Sequence, residues 1–545
     1  MSGAEGTATL PASVAETLGD PAAVALWREL VALAPTNLED PPRGRYEKPR
    51  YAAAARRLQA VATEWGLSAR TFDPVEAGGR EAEELRGIPR PNVIVDLPGA
   101  SPETVLVLAH YDVVPVPDEQ RPRWRSPPHT LTYRSDGRLY GRGSSDDLGS
   151  GVVASLLALK RLSHGPAPAR SVRLLLCCDE ETGGEGGIEA MKRHDAELPE
   201  GSPDRLIAGD VALLPDGSPH VCAASSGAVF MDLVVHAPAS LSGILDLADE
   251  VAELSGRVAE WRSRFPSPDW PDHGAPAPWI QGRLTLTRFD LEAVPPAGPA
   301  AALENAHAET DAANQIAESV ALGFAPPATA APAVLERLGA LARSPYRVAP
   351  TGATGLAVPA GGFAVSVIGE SAHGGYPHRA HNPVPATTGI LRAALGRGWI
   401  GADRRYRATF AIDLRLPPEM PLEEGRGPVL AWVRSIIDRL GVPATIESPP
   451  ARCRGGYALD ADHPAAQRLE RIVAETLGVH GVFGEYGGTD ASTLGTVRTR
   501  SGAPLPALVF GSMDRASNIH QAEENADPRL VAGVAAAIER YVRDP

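Results

Sequence analysis

Histidines and carboxylates that could bind metal ions occur in five short clusters of this sequence. Each cluster follows a predicted strand or lies in a loop, where open α/β sheets place their ligand sites. The clusters are His110-Tyr111-Asp112, GRGSSDDLGSG at 141–151, CCDEETGGEGG at 177–187, LLPDGS at 213–218 and NIHQAEEN at 518–525. Imidazole nitrogens and carboxylate oxygens are typical ligands of a two-metal hydrolase, whose ions lie about 3.5–4 Å apart. Together the clusters predict such a centre, although each one alone is also typical of a turn, a helix cap or a strand end.

The adjacent Glu180 and Glu181 are the most unusual of these groups. They leave an apolar strand and enter a glycine-rich turn. Burying two unpaired carboxylates costs so much free energy that a cation or a proton must compensate for them. The pair could therefore supply both a metal ligand and a general base. An exposed acidic turn is the alternative for this segment considered by itself.

The elements that would carry these residues are typical of an α/β domain. Continuous apolar runs predict the buried strands of a mixed, mostly parallel sheet at 105–114, 171–180 and 211–216. The apolar spacing at 147–163 predicts a helix between the first two strands. The same character returns late in the chain, with a helix predicted at 463–478, a strand at 506–512 and a helix at 527–543. We therefore expect an α/β fold in which helices flank this sheet.

The middle of the chain differs in composition. From about 222 to 350 it is rich in Ala and Pro with sparse predicted strands, such as 228–236 and 282–291, and 325–333 is typical of a loop. Alternating strands follow at 361–370 and 405–416, and a helix is predicted within 422–441. This pattern indicates an inserted α+β domain with one solvated sheet face. The predicted division is a first catalytic part at 1–221, an inserted domain at 222–450 with an enlarged segment at about 237–355, and a second catalytic part at 451–545.

Composition narrows the classes of function. The chain has 545 residues, with 52 Lys and Arg against 67 Asp and Glu and a formal charge of −15. A nucleic-acid binder would need a basic face to displace phosphate counterions, and an anionic membrane surface would repel this chain equally. No segment reaches the roughly 18 apolar residues of a transmembrane helix, the N-terminus lacks the pattern of a signal peptide, and the cysteines do not form a disulfide framework. These features predict a cytoplasmic protein with no nucleic-acid or membrane partner.

An ordered series of motifs resembles a known family. The series is LVLAHYDVVPV, RWRSPPHTLTYRSDGRLYGRGSSDDLGSG, DEETGGEGG, VALLPDG, GESAHGGYPHRAHNP, DLRLPP, YGGTDAS and NIHQAEEN. It is similar to the zinc-dependent peptidase family that includes glutamate carboxypeptidase, aminoacylase, succinyl-diaminopimelate desuccinylase and the carnosinase-type dipeptidases. The resemblance covers roughly 90–220 and 455–545, plus 360–420 within the inserted domain. It implies a zinc-exopeptidase type of fold in which the inserted domain is a lid.

The resemblance also implies a binding site for two divalent ions, zinc in the first place, with Mn²⁺ or Co²⁺ as alternatives. The ligands would be Asp146 as the bridge, His110 and Asp216 on one ion, and Glu181 and His520 on the other. Glu180 would be the general base, taking a proton from the bridging water and passing it to the leaving nitrogen. Asp112 would orient His110.

Other matching residues would act on the substrate. His373 in SAHGG would stabilise the tetrahedral oxyanion, since the motif register favours it over His378 and His381. Arg415 in DLRL would grip a substrate carboxylate, with a surface ion pair as the alternative. The residues that match a substrate-side loop are Gly488, Thr489 and Asp490.

Two features depart from the family pattern. Leu148 stands where many members carry Lys, which could alter the metal-site environment or the wall that faces the substrate. The enlarged segment 237–355 resembles the lids of dipeptidase-type members, some of which imitate a second subunit within one chain. Family lids usually form dimers and often lend the oxyanion histidine to the neighbouring subunit. The resemblance therefore implies a homodimer through the lid, or a monomer if the enlarged lid mimics a second subunit.

These inferences predict a dizinc metallohydrolase that cleaves an amide bond of a small peptide, in the manner of a dipeptidase or carboxypeptidase. The alternative substrate is an N-acyl or N-carbamoyl amino acid. An aminopeptidase of the other dizinc family is disfavoured, because that family lacks the lid and the GRGSSDD run. A further alternative is a binding protein or a non-hydrolytic biosynthetic enzyme that reuses the fold. The complete set of ligands and base argues against an inactive protein, while a reversed or acyl-transfer reaction stays open.

Overall fold

The structure is a computed structural model that describes most of the chain. Its described residues are 10–36, 38–40, 45–47, 50–78, 83, 85–116, 120–199, 202–267, 279–294, 303–309, 316–317, 319–325, 328–351, 356, 361–370, 381–400, 403–449 and 452–544. His373 and His378 lie outside the described residues, as does the side chain of Asp146.

Two large sheets organise the described residues, and the first contains the predicted catalytic strands. Its strands, in spatial order, are Tyr457–Ala458, Val221–Ser225, Ala507–Val509, Val211–Leu214, Thr104–His110, Ser171–Cys177, Asn92–Leu97 and Ser68–Phe72, with Val482–Glu485 also paired to the second of them. The central strands are parallel, whereas the edges are antiparallel. This arrangement confirms the predicted mixed α/β class.

Helices cover both faces of the first sheet. They are Ala12–Leu18, Pro21–Leu33, Tyr51–Glu64, Pro74–Ala77, Ser155–Ser163, Ile188–Glu197, Pro464–Leu477, Ala491–Leu494 and Pro528–Arg543. Every residue of strand Thr104–His110 is buried, as the continuous apolar run predicts for a strand that is covered on both faces. The strand ends at His110, earlier than the predicted 114, because the chain turns away where the polar site residues begin. No helix in the described part of the chain is long and apolar enough to cross a membrane.

The acidic pair at 146–147 begins a helix whose first turns are wider than predicted. Asp146–Ala154 is π-helical and continues into the α-helix Ser155–Ser163. A Cβ on Gly149 would lie 2.4 Å from the Ser144 carbonyl oxygen, so this turn requires glycine there. Leu148 is fully buried in the hydrophobic core. It therefore does not form a wall facing the substrate.

The second sheet is antiparallel throughout its described pairings. Its strands, in spatial order, are Arg347–Pro350, Phe363–Ile368, Ser319–Phe324, Leu303–Glu309, Arg283–Val294, Arg405–Leu416, Gly227–Ser240 and Ala444–Glu447, with Cys453–Arg454 paired to Gly227–Ser240. The helices of this part are Leu241–Val258, Ala331–Gly339, Pro383–Gly396 and Leu422–Leu440. Buried and partly exposed residues alternate along much of Gly227–Ser240, as expected for a sheet with one packed face.

Short strand pairs complete the described structure. They are Leu38–Asp40 with Arg45–Glu47, Arg262–Pro266 with Trp279–Gln281, and Thr132–Tyr133 with Leu139–Tyr140 and Asn525–Ala526.

The enlarged segment is more ordered than its composition predicts. The loop predicted at 325–333 is wrong in its second half, where a 3₁₀ turn at Ala328–Ala330 leads into helix Ala331–Gly339. Pro332 lies in the first turn of this helix, where its missing N–H costs no hydrogen bond. Strand Arg283–Val294, also from this segment, pairs directly with Arg405–Leu416. The chain leaves the first sheet at Ser226, a few residues after the predicted boundary at 222, because Val221–Ser225 still pairs within that sheet.

Candidate metal centre

The site lies at the carboxyl ends of three neighbouring strands of the first sheet. Thr104–His110 runs parallel to both Ser171–Cys177 and Val211–Leu214. Because the carboxyl ends of parallel strands meet at one edge, the residues that follow these strands are brought together. That edge carries His110, the turn of Glu180 and Glu181, and Asp216.

His110, Asp147 and Asp216 form a cluster whose possible ligand atoms all lie within 4.8 Å of one another. The Nε2 atom of His110 is 3.5 Å from Oδ1 of Asp216 and 3.7 Å from Oδ1 of Asp147. Burial lowers the pKa of His110, but the Asp216 and Asp112 carboxylates outweigh it and raise that pKa well above its usual range. A buried imidazole between two carboxylates is a donor set that suits a divalent cation.

Asp147 is the member of the acidic pair whose described side chain lies in this cluster. The bridging role that the resemblance implies for Asp146 stays a prediction, because that side chain is not described. Our sequence reasoning missed Asp147. Asp147 lies in a π-helical turn, and no hydrophobic pattern signals such a turn. The Ser150 hydroxyl donates to the Pro215 carbonyl at 2.8 Å, which ties this turn to the strand end that carries Asp216.

Asp112 connects His110 to the glutamate turn. Its Oδ1 lies 3.3 Å from Nδ1 of His110 and accepts the N–H of Glu180 at 3.2 Å. Its Oδ2 accepts the N–H of Glu181 at 3.1 Å. Asp112 is buried, so these contacts are shielded from water. The geometry suits the orienting role that the resemblance implies for this residue.

A buried ion pair supports the glutamate turn. Asp179 has a φ of 63°, a left-handed conformation that is uncommon outside glycine and is tolerated best by Asn and Asp. Nε of Arg90 donates to Oδ2 of Asp179 at 2.5 Å, with both side chains buried. Sequence reasoning assigned no role to either residue, although Asp179 directly precedes the two glutamates. The pair holds the strained residue from which the turn starts.

His520 reaches the same turn from the far end of the chain. Its Nε2 lies 2.9 Å from Oε1 of Glu181. Burial raises the pKa of Glu181, but His520 outweighs it and holds that pKa below its usual range. The contact acts in the opposite direction on His520, whose pKa is raised although burial alone would lower it. Glu181 and His520 thus form a second pair of possible metal ligands beside the first cluster.

A buried polar network holds the loop that carries His520. Arg142 forms an ion pair with Glu524 and also donates to Oε1 of Gln120 at 2.9 Å. Nε2 of Gln120 donates in turn to the carbonyl oxygen of His520 at 3.2 Å. Arg142 and Glu524 both lie inside motifs that the sequence singled out, but nothing in either motif indicates that they pair. This network is therefore a finding of the structure.

Glu180 and Asp490 make this part of the site strongly acidic. Burial raises the pKa of Glu180 well above its usual range, and Asp490 and Glu181 add to the rise while His110 opposes it. Burial also raises the pKa of Asp490, to about 6, although Nη1 of Arg454 lies 3.3 Å from its Oδ1. Carboxylates in such a pocket favour the arrival of a proton or a cation. Arg454 is a further residue that sequence reasoning missed.

Arg415, the predicted substrate-binding arginine, is a buried residue of strand Arg405–Leu416 in the second sheet. Its Nε and Nη2 donate to the two oxygens of Asp413 at 2.7 and 2.9 Å. The surface ion pair that we considered as the alternative is wrong, because both side chains are buried. A Cβ on Gly488 would lie 3.6 Å from Nη1 of Arg415, so the substrate-side loop does approach this arginine. The next residue of that loop, Thr489, donates its N–H to the Ser225 hydroxyl at 3.3 Å.

A protein-family model matches most of the chain. The model described as peptidase family M20/M25/M40 matches residues 106–544. The matched range starts in strand Thr104–His110 and ends with the last helix, so it includes every residue of the candidate metal centre.

Individual relatives match shorter stretches. An uncharacterized metallohydrolase of Methanocaldococcus jannaschii is 34% identical over 106 residues, which cover 19% of this chain and 25% of that protein. A succinyl-diaminopimelate desuccinylase of Acidovorax ebreus is 46% identical over 84 residues, or 15% and 20% of the two chains. A Cys-Gly metallodipeptidase of Schizosaccharomyces pombe is 36% identical over 116 residues, or 20% and 23%. The matched stretches thus span a quarter or less of the length of these relatives.

Solved structures show the same fold over the whole chain. The dipeptidase Dug1p from Saccharomyces cerevisiae aligns over 98% of both chains with a TM-score of 0.58 at 12% identity. Human carnosine dipeptidase 1 also aligns over 98% of both chains, with a TM-score of 0.57 at 12% identity. This likeness confirms the predicted zinc-exopeptidase type of fold with a lid domain. Because the family model covers most of the chain, the protein belongs to peptidase family M20/M25/M40, as the motifs predicted.

Proposed function

We propose that this protein is a metal-dependent hydrolase that cleaves an amide bond of a small peptide, with Glu180 as the general base. One observation carries the proposal. Asp112 contacts His110 and accepts the N–H groups of both glutamates, so a single buried carboxylate orients both groups of possible ligands around Glu180. The dipeptidases among the relatives and the solved structures support the choice of substrate.

The donor sets fit two divalent ions. The first would be held by His110, Asp147 and Asp216, the second by Glu181 and His520, with Asp146 as the bridging carboxylate that the resemblance implies. The excess of buried carboxylate over positive charge is the condition that a bound cation relieves. Bound there, divalent ions would polarise the scissile carbonyl, lower the pKa of a water molecule and offset the charge of the carboxylates. Zinc suits the mixed imidazole and carboxylate ligands, and Mn²⁺ or Co²⁺ are alternatives.

The residues of the chain itself move the proton and position the substrate. Glu180 takes the proton of the attacking water at its carboxylate and returns it to the leaving nitrogen. Asp112 holds the ring of His110 through Nδ1, which leaves Nε2 facing the cluster. Arg454 holds Asp490 beside Glu180 and keeps the wall of the pocket in place. His373 would stabilise the oxyanion, as the resemblance implies.

A second candidate function is deacylation of an N-acyl or N-carbamoyl amino acid. It is favoured by the succinyl-diaminopimelate desuccinylase, which shares 46% identity over 84 residues. The two functions use the same reaction at the amide carbonyl and release an amino acid from its nitrogen side. They differ in the group on the carbonyl side, which is an aminoacyl group in a dipeptide and an acyl or carbamoyl group in the alternative substrates.

The experiment that tests the proposal is a mass-spectrometric hydrolysis screen. Dipeptides, N-acyl amino acids and N-carbamoyl amino acids are incubated with the purified protein together with zinc, manganese or a chelator. We expect dipeptides to be cleaved in a reaction that the chelator stops. Cleavage of N-acyl or N-carbamoyl amino acids alone would replace the first function by the second. A protein that binds no divalent metal would overturn both.

A further inference from the structure

We propose that Arg283 and Arg415 together bind the free carboxylate of the substrate, and that Arg283 gives the site its preference for a carboxylate over an uncharged group. This inference rests on the proposed function, because it concerns the substrate of the same site. It assigns a role to Arg283, a residue of the enlarged segment to which the sequence assigned none.

The two arginines lie directly opposite each other on neighbouring strands. Arg283 begins strand Arg283–Val294 and is the register partner of Arg415 in Arg405–Leu416. Opposite residues of an antiparallel pair point to the same face of the sheet, with Cβ atoms about 5 Å apart. Like charges placed in this way destabilise a sheet. The arrangement places the donors of two guanidinium groups on one face of the sheet, where an anion would fit between them.

Arg415 alone does not supply a full positive charge to this face. Two of its nitrogens donate to both oxygens of Asp413 at 2.7 and 2.9 Å, and this buried pair is close to neutral. Its third nitrogen, Nη1, lies beside Gly488, where a Cβ would be 3.6 Å away and would narrow the space next to these N–H groups. Arg415 therefore offers hydrogen-bond donors, while the net charge must come from another residue.

Arg283 is placed to supply that charge. Its guanidinium lies 3.6 Å from the centre of the Tyr486 ring, and Tyr486 precedes Gly488 in the same loop. The Tyr486 hydroxyl also accepts the N–H of Gln281 at 3.3 Å, which fixes the ring beneath the arginine. Burial holds the pKa of Arg283 below its usual range; the Tyr486 hydroxyl opposes this, while the positive charge of Arg415 adds to it. A carboxylate bound between the two guanidiniums would raise the pKa of Arg283, because its negative charge opposes the effects of burial and of Arg415.

The position relative to the metal centre fits the carboxylate of a short substrate. Asp490 follows Gly488 by two residues, which span at most about 7 Å of extended chain. The Asp490 carboxylate acts electrostatically on Glu180 and is itself affected by His110 and Asp216. The loop 486–490 thus connects the arginine pair to the reacting groups over at most the length of about two amino-acid residues. A dipeptide cleaved beside Glu180 would place its C-terminal carboxylate near the two arginines.

The test compares two ligands that cannot be hydrolysed. One is glycyl-alanine in which a methylene group replaces the scissile carbonyl, and the other is its C-terminal amide. Binding of each to the metal-loaded wild type and to Arg283→Gln is measured by calorimetry. We expect the wild type to bind the carboxylate form at least tenfold more tightly than the amide. Arg283→Gln should lose about tenfold to a hundredfold in affinity for the carboxylate form, the range for a hydrogen bond to a charged group, and less than about twofold for the amide.

Two further variants separate charge from shape. Arg283→Lys keeps the charge but loses the planar fork, so we expect an intermediate affinity for the carboxylate form. Arg264→Gln is the matched control, because Arg264 also lies beside an aromatic ring, 5.4 Å from that of Phe265, but its side chain is 61% exposed. It should bind both ligands as the wild type does. Melting temperatures of all variants confirm that they are folded.

The outcomes distinguish this inference from the proposed function. An equal loss of both ligands in Arg283→Gln, or no loss of either, would show that Arg283 only shapes the loop and would overturn the inference. A wild type that does not distinguish the carboxylate from the amide would overturn it as well. Neither result affects the hydrolysis screen. A protein that cleaves no amide but shows the expected binding would refute the proposed function and leave the carboxylate site standing.

Discussion

The two groups of possible metal ligands are positioned by different kinds of structure. His110, Asp147 and Asp216, which we call the strand half, lie at the ends of adjacent parallel strands and at the start of a buried helix. Glu181 and His520, the loop half, lie in turns. Asp179, which precedes the glutamates, and His520 itself both have left-handed backbones, with φ of 63° and 60°. Sheet register therefore fixes the strand half, while the loop half needs other support.

Buried charge pairs provide that support. Arg90 holds Asp179 beneath the glutamate turn, and Arg142 with Glu524 holds the loop of His520. Removing one partner of a buried ion pair typically costs about 3–5 kcal/mol, because the remaining charge stays buried. Because of these pairs, the loop half can be disturbed without changing a ligand, whereas the strand half depends on its ligands, on the sheet and on Asp112, which contacts His110. Each of the following experiments changes a residue of one half, of its support or of the connection between the halves.

The largest effect is expected from Glu180→Gln, which removes the general base while leaving both halves intact. Turnover should fall by about a hundredfold to ten-thousandfold, since that is the usual contribution of a positioned base. Metal content, measured by elemental mass spectrometry, should remain that of the wild type. Glu185→Gln is the control, because Glu185 lies in the same turn but is exposed. A Glu180→Gln enzyme with wild-type turnover would show that another group is the base.

The next effect concerns the acidic pair that begins the π-helical turn. We expect Asp147→Asn to lose the ion of the strand half and keep the other, because Asp147 lies 3.7 Å from His110. Asp146→Asn should lose both ions if Asp146 is the bridge that the resemblance implies. Metal content per chain measures both. If Asp147→Asn keeps two ions, Asp147 is not a ligand and the acidic pair binds metal through Asp146 alone.

Glu524→Gln tests the support of the loop half. Glu524 and Arg142 have side chains that are 2% and 0% exposed, so the variant leaves an unpaired buried arginine. We expect a loss of about 3–5 kcal/mol in the free energy of unfolding, measured by denaturant titration. The affinity for one of the two ions should also fall, while the ion of the strand half stays bound.

The neighbouring Glu523 offers the matched control for that experiment. It pairs with Arg134, but both side chains are 19% exposed, and a more accessible pair contributes less. Glu523→Gln should therefore cost less stability than Glu524→Gln and keep both ions. Equal effects of the two variants would mean that burial of the Arg142 pair has no special role.

The same comparison explains how much of the site could be predicted from sequence. Continuous apolar runs predicted the strands, and the rule that parallel strands meet at their carboxyl ends predicted where His110 and Asp216 would lie. The supporting pairs could not be predicted in this way. Arg142 and Glu524 are 382 positions apart, and no periodicity relates them. The placement of Asp147 beside His110 depends on a π-helical turn, which the apolar spacing at 147–163 does not distinguish from an α-helix.

The inserted domain shows the same limit. Alternating hydrophobicity predicted its strands at 361–370 and 405–416, which the structure has as Phe363–Ile368 and Arg405–Leu416. Within the Ala- and Pro-rich segment, the strand predicted at 282–291 is Arg283–Val294 in the structure, but its sequence does not indicate which strand it pairs with. Arg283 could not be identified as the neighbour of Arg415 before this pairing was known.

Asp112→Asn tests the connection between the two halves. The carboxylate accepts one N–H at each oxygen, whereas an amide would place its own N–H₂ against one of these donors. We expect the affinity for metal ions to fall by about tenfold to a hundredfold, as is typical when a residue that orients a ligand is replaced. Chelator competition measures this affinity.

The control for Asp112 is Asp210, a carboxylate that contacts the opposite end of strand Thr104–His110. Oδ2 of Asp210 accepts the N–H of Thr104 at 2.9 Å, far from the ligands along strand Thr104–His110. Asp210→Asn should leave the metal affinity unchanged. If it weakens metal binding as much as Asp112→Asn does, the effect comes from the strand rather than from orientation of His110.

The smallest effect is expected from lowering the pH, which should reduce the stability of the folded protein near the loop half. Burial lowers the pKa of His129 to about 4, and the positive charges of Arg142, Arg121 and Arg50 add to this. His129 is therefore neutral in the folded protein at a pH where the unfolded chain, with an ordinary histidine pKa near 6.5, already binds a proton. The stability that results is present above about pH 6.5 and is lost as the pH falls toward 4. Melting temperatures of the metal-free protein between pH 7.5 and 4.5 measure this loss.

His129→Gln should flatten that part of the pH dependence, because glutamine does not titrate. His480→Gln is the control, since the His480 side chain is 77% exposed. It should melt with the pH dependence of the wild type. Since Arg142 both repels a proton on His129 and pairs with Glu524, a positive His129 would weaken the network that holds His520. An unchanged pH dependence in His129→Gln would show that the loop half does not depend on a neutral histidine beside Arg142, and that its ion pairs alone support it.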